Sequence, residues 1–174
     1  MLTDPLLSAL FQTDAWATRQ LLAECRALTP EQFERPLDLG PGSLERTLSH
    51  LVGAMFFFAD RLNRRAPRPR PDRDGRAHTA DELLALLDQA DGEFQEAVAQ
   101  TLATRALTDI LNWTDTDDGP IAPSDQTTYA VALAQMIDHG IHHRAQAAEM
   151  LRQLGVTKPL DWHPFEWEEA MRGL

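Results

Sequence analysis

Apolar residues recur with a helical period of three to four residues in four long blocks of this chain, each opened by a capping signal. Asp4-Pro5 begins the first, with the carboxylate able to cap and the proline tolerated in the first turn. Leu7, Leu10, Ala17, Leu21 and Leu28 then mark a buried stripe, which Thr29-Pro30 is expected to stop. Ser43 caps a second helix through Leu44, Leu48, Leu51, Met55, Phe58 and Leu62, with Glu45 in its first turn. Thr79-Ala-Asp-Glu82 is a capping box for a third, continued by Leu83, Leu87, Ala90, Phe94, Ala97 and Thr101. The fourth starts near Thr127 or Thr128 and runs to about Leu154, where Gly155 supplies the C-terminal cap.

The intervening stretches read as connections. Pro30 to Gly42 carries three prolines and two glycines. Arg61 to Arg76 holds seven of the sixteen basic residues, and its prolines and lack of interleaved aromatics predict a stiff, solvated loop rather than an anion-binding arm. Periodicity fails from Thr104 to Gln126, where a short extended pair is expected around Ile110 to Trp113. The aspartates at 115, 117 and 118 lack the glycine position and distal glutamate of a calcium loop. The final stretch, Pro159 to Leu174, is aromatic enough at Trp162, Phe165 and Trp167 to be expected to pack over a bundle end or edge.

Four amphipathic helices without a sustained strand pattern predict an all-α fold, a four-helix bundle, as one domain over residues 1–174. The long connection between the third and fourth helices is able to cross the bundle.

Composition narrows the function classes. A net charge of -11 speaks against a phosphate-contacting nucleic-acid surface. No apolar run approaches the roughly 20 residues of a membrane span, and no signal segment opens the chain, so a cytoplasmic protein is expected. The single Cys25 follows Leu21 and Leu22 at helical spacing and reads as a small core hydrophobe rather than a nucleophile.

Chemistry is concentrated in Gln135-Met-Ile-Asp-His-Gly-Ile-His-His-Arg-Ala-Gln146, which holds three of the six histidines. Residues four apart stack on one helix face, so His139 and His143 can converge on a single ion. Met136, Gly140, His143, Ala147 and Met150 form a small or apolar stripe with His139 beside it, whereas His142 lies along Gln135, Asp138 and Glu149. His139 and His143 are therefore expected to face inward and His142 to be solvated. A buried, neutral, hydrogen-bonded pair is the alternative to ligation, and His50, in its apolar setting on the second helix, is the candidate third ligand. Asp14 interrupts the first helix's buried stripe; either the helix is rotated enough to wet it, or it has a cationic, metal or imidazole partner.

Nearly the whole chain resembles the DinB-like family, also described with the YfiT-like metal-dependent hydrolases. The resemblance rests on Trp16-Ala17, Leu28-Thr29-Pro30-Glu31-Gln32-Phe33, Gly42-Ser43-Leu44 leading to Leu48-Ser49-His50, and above all His139-Gly-Ile-His-His143-Arg144-Ala-Gln146. It implies an up-down-down-up four-helix bundle, often a homodimer, with one divalent metal held by His50, His139 and His143. Arg144 and Gln146 would support the packing or the ligands. Met55 and Phe58 stand where relatives often have Glu and Trp, which alters the pocket wall, and Asp14 falls where relatives often carry a polar residue.

Three neutral imidazoles leave coordination positions open for water or substrate. Zinc is the expected ion, and nickel, iron or manganese also suit such a site. Two reactions on a small-molecule substrate follow: hydrolysis with Asp14 as general base, or transfer of a low-molecular-weight thiol, as in some relatives, with Arg144 or the arginine-rich loop binding the thiol's charged portion. The alternative is a non-catalytic metal-binding stress-response protein acting through dimerisation, its site closed by Met55 or the tail aromatics.

Overall fold

The computed structural model describes residues 4–66, 68–111, 126–157 and 162–173. Trp113, the 115–118 aspartates and the start of the aromatic tail lie outside the described residues. The described chain is mostly helical: α1 (Pro5–Cys25), α2 (Pro30–Phe33), α3 (Leu44–Leu62), α4 (Ala80–Thr104), α5 (Tyr129–Gln153) and α6 (Pro164–Arg172), with β1 (Ile110–Leu111) and β2 (Thr127–Thr128).

The caps form where the sequence places them. Asp4 accepts from the backbone N–H of Leu7, Ser43 from Arg46 and Thr128 from Val131, and both halves of the Thr79–Glu82 capping box are present. Gly155, with φ +94°, ends α5 in the left-handed conformation that glycine adopts without strain. Two local features differ from the sequence expectation. The first helix stops at Cys25 rather than at Thr29, and Thr29 instead opens a one-turn helix, α2, through its own capping box with Gln32. The extended segment at Ile110–Leu111 pairs antiparallel with Thr127–Thr128 immediately before α5.

The long helices pack so that α1 and α3 each touch both α4 and α5. Side-chain contacts set their directions. Arg19 meets Asp88 and Asp91, and Arg26 meets Asp81, so α1 and α4 are antiparallel. Thr47 meets Met150 and His50 meets His139, so α3 and α5 are antiparallel as well. Asp14 and Thr18 lie against Arg144 while Phe11 lies with Leu133, making α1 and α5 parallel. Around this frame Phe11, Leu21, Leu22, Leu48, Leu87, Phe94, Met136 and Met150 form the core. Cys25 is buried among them, and burial pushes its thiol up to about 12, which removes it as a nucleophile at neutral pH. Trp162 packs against the core and α6 lies beside α1, but Phe165 is 79% exposed.

The connection from α3 to α4 is solvated along much of its length, as its composition suggests, with Arg64, Arg65, Arg73 and Arg76 exposed, but it is not detached from the helices. It folds back along α3, with Arg68 at Asp60 and Phe56, Arg70 at Phe57, Asp72 at His50 and the His78 backbone at Glu45. Arg68 bridges Asp60 of α3 and Glu93 of α4 through five hydrogen bonds of 2.5 to 3.2 Å. The guanidiniums are held because acidic and aromatic side chains of α3 and α4 face them. Because the connection returns to the start of α3, α4 runs parallel to it.

Phe94 stands at the centre of this packing, 1% exposed, with its ring edge-on to Phe11 at 5.0 Å. Phe94→Ala is expected to cost about 3–5 kcal/mol, the range for truncating a fully buried aromatic. Urea unfolding would show this as a lower midpoint at unchanged slope.

Candidate metal centre

His50 reaches the site from the second turn of α3, and His139 and His143 from successive turns of α5. Met136, Ala147 and Met150 bury the stripe on which they stand, and this fixes the rotation of α5. The three imidazoles each offer one nitrogen, and these lie within 4.8 Å of one another. The Nε2 atoms of His50 and His139 are 2.9 Å apart. Nitrogens on a common sphere at metal–nitrogen distance sit about 3.0 to 3.4 Å apart in octahedral or tetrahedral arrangement, so the cluster has the right scale for one ion. His142 is exposed and takes no part in the cluster.

Outer partners set two of the tautomers. Asp72 Oδ2 accepts from His50 Nδ1 at 3.3 Å, and Gln146 Oε1 accepts from His143 Nδ1 at 2.8 Å. Each bond places the ring proton on Nδ1 and leaves the Nε2 lone pair for the centre. His139 Nδ1 is buried with no hydrogen-bond partner among the described residues, and its ring packs against those of His50 and His143. Burial, followed by the charges His143 and His50 would carry, lowers the His139 pKa to about 4. Burial likewise lowers that of His143. Both are therefore neutral near pH 7, as ligation requires. Burial raises the pKa of Asp72, but the hydrogen bond from His50 and the charge of Arg70 outweigh it and hold the carboxyl below its usual range. The donor set thus fits a divalent ion: three imidazole nitrogens, two of them oriented from behind, with no thiolate or carboxylate in the inner set among the described residues.

Of the three histidines, only His50 lines a sizeable cavity among the described residues. His50 is 38% exposed and lines a cavity of about 760 Å³ together with Glu45, Ser49, Pro71, Asp72 and Arg76. Met55 is buried in the core and, like the tail aromatics, does not line this cavity.

Asp14 and Arg144 are committed to each other. Arg144 Nη1 donates to Asp14 Oδ1 at 2.5 Å and to Thr18 Oγ1 at 3.2 Å, so the cationic partner is the one that rescues the carboxylate on the α1 stripe. Burial nonetheless raises the Asp14 pKa, with Arg144 opposing the shift. The pair lines a different cavity, with Trp162, and has no hydrogen bond to the three imidazoles among the described residues. A Cβ at Gly140 would run into the Asp14 carboxylate and Arg144 Nη1, which is why α5 carries a glycine between its two inward histidines. Asp72 was not legible as a site residue. It lies 22 positions from His50 in a segment without periodicity, and only its place between prolines and arginines distinguishes it.

The family model of the DinB family matches residues 1–171. The chain belongs to the DinB family. The crystal structure of a DinB-like protein from Bacillus cereus is similar, with a TM-score of 0.61 at 20% identity, over 85% of this chain and 90% of that chain. That likeness speaks for the fold alone. No curated protein sequence matches the chain. The three histidines that the DinB resemblance implies as ligands are the three that the fold brings together.

The neutrality of His139 sets a pH dependence in the metal-free protein. Its folded-state pKa of about 4 lies below the ordinary 6.5, so the unfolded chain takes up the proton first. Its contribution to stability is complete above about pH 6.5 and is lost as the pH falls towards 4. The unfolding free energy measured between these limits should slope less steeply with pH in His139→Asn than in wild type. Equal slopes would rule the shift out.

Proposed function

We propose that His50, His139 and His143 bind one divalent metal ion, zinc foremost, and that the centre transfers a low-molecular-weight thiol to a small electrophilic substrate. The observation that carries this reading is the convergence of three imidazole nitrogens within 4.8 Å of one another, with His50 also lining a 760 Å³ cavity. An ion held there would act as a Lewis acid, lowering the pKa of a bound thiol or water. The chain's own residues do the rest. Asp72 and Gln146 orient the rings of His50 and His143, and the cavity beside His50 admits the reactants. Cys25 is buried in the core and held as a thiol, so in this reading an external thiol supplies the nucleophile.

Hydrolysis at the same centre is the second reading. Its expected general base, Asp14, is occupied by Arg144 and lines another cavity, which favours thiol transfer. The partial exposure of the His50 side chain also weighs against a closed, purely structural metal site of the stress-response kind. We place the centre on a single-domain, up-down-down-up four-helix bundle over residues 1–174, working in the cytoplasm as a homodimer. Of the described helices, none is long and apolar enough to cross a membrane.

Elemental analysis of protein purified without a histidine tag tests the foundation. Near-stoichiometric metal is expected in wild type and in His142→Ala, and its loss in His50→Ala, His139→Ala and His143→Ala. Metal-loaded protein should then bind a small thiol in calorimetry, while the apo form should not. Absence of metal under every loading condition would end the enzymatic reading. Turnover of substrate without any thiol would transfer it to hydrolysis.

A further inference from the structure

His50, Gly53 and Phe57 follow one another at helical spacing on one face of α3, and the returning connection lies along that face. Arg70 places its guanidinium 5.2 Å from the centre of the Phe57 ring, and its Nε is 3.5 Å from Asp72 Oδ1. The other carboxylate oxygen, Oδ2, accepts from His50 Nδ1. Asp72 is only 12% exposed and Arg70 15%, so this chain of contacts is largely withdrawn from water. Gly53 makes the approach possible, since a Cβ there would strike Asp72 Oδ1 and its carboxyl carbon. On either side the connection is pinned, by Arg68 between Asp60 and Glu93, and by the His78 N–H on the buried Glu45.

We propose that the arginine-rich connection is the outer support of the metal centre, in which Arg70, seated on Phe57, and the open space at Gly53 hold Asp72 against His50 and so fix that ring with its Nε2 lone pair inward. Arg70 and Gly53 are positioning residues, because they act through Asp72. The inference rests on the metal reading for its consequence but not for its geometry. It explains the acidic and aromatic partners of these arginines without any anionic ligand. It also separates Arg70 from Arg73, which lies in the same connection but is exposed.

Partners behind a ligating histidine typically alter metal affinity by roughly 10- to 100-fold when removed. Asp72→Asn, Arg70→Gln and Gly53→Ala are each expected to weaken zinc binding within that range in competition with a chromophoric chelator. Gly53→Ala is the decisive variant. Alanine favours the helix interior over glycine, so α3 itself is not weakened, while the added methyl displaces the carboxylate. A second readout needs no metal: nitrogen-15 NMR of the apo protein should show His50 as the Nδ1–H tautomer in wild type and a tautomer mixture in Gly53→Ala. Unchanged zinc affinity together with an unchanged tautomer in Gly53→Ala and Arg70→Gln would overturn the proposal. If wild type binds no zinc, the metal reading falls, and the tautomer comparison still decides whether the support exists.

Discussion

The antiparallel contact between α3 and α5 is the constraint on which the rest of the molecule depends. It sets Thr47 against Met150 and, a turn further along α3, His50 against His139 and His143. Three imidazoles drawn from two helices become one donor set only if both helices hold their rotation about their axes. Burial of Leu48, Leu51 and Met55 on one side, and of Met136, Ala147 and Met150 on the other, provides that hold. The same burial makes protonation of His139 unfavourable, so packing and readiness to ligate have a common cause.

Two charge networks are enclosed between helices, in contrast to the exposed ion pairs of the surface. Asp14 and Arg144 sit between α1 and α5 with Thr18 completing the network, and Arg68 ties α3 to α4 through two carboxylates. Such pairs add little net stability over an apolar replacement, but loss of one partner strands the other and costs about 3–5 kcal/mol when the pair is well buried. Their value lies in register. Asp14 and Arg144 fix α1 beside α5, the helix that carries two of the three histidines, and Arg68 anchors the segment that delivers Asp72. The glycines at 53 and 140 serve this arrangement by leaving room for a carboxylate against a helix backbone.

The centre that results is asymmetric. His50 and His143 have hydrogen-bonding partners behind them, His139 Nδ1 has none among the described residues, and of the three only His50 lines the 760 Å³ cavity. A closed structural site would surround its ion with ligands and packed side chains. Here the cavity is walled by residues of α3 and of the connections on either side of it, so the segment that orients His50 also shapes the cavity beside it.

The sequence by itself determined the helices, their caps, the inward face of α5 and, through the spacing of His139 and His143, where chemistry would gather. These are short-range properties, since capping and the helical period involve residues within a turn of one another. It also marked Asp14 as anomalous without being able to say why. Tertiary structure decided that Arg144, 130 positions away, is its partner, and that the arginine-rich segment lies against α3 with Asp72 on His50. Such pairings depend on how two helices cross and how far each is rotated. Periodicity records which face of a helix is buried, but not which distant side chain will be waiting on the other side of the contact.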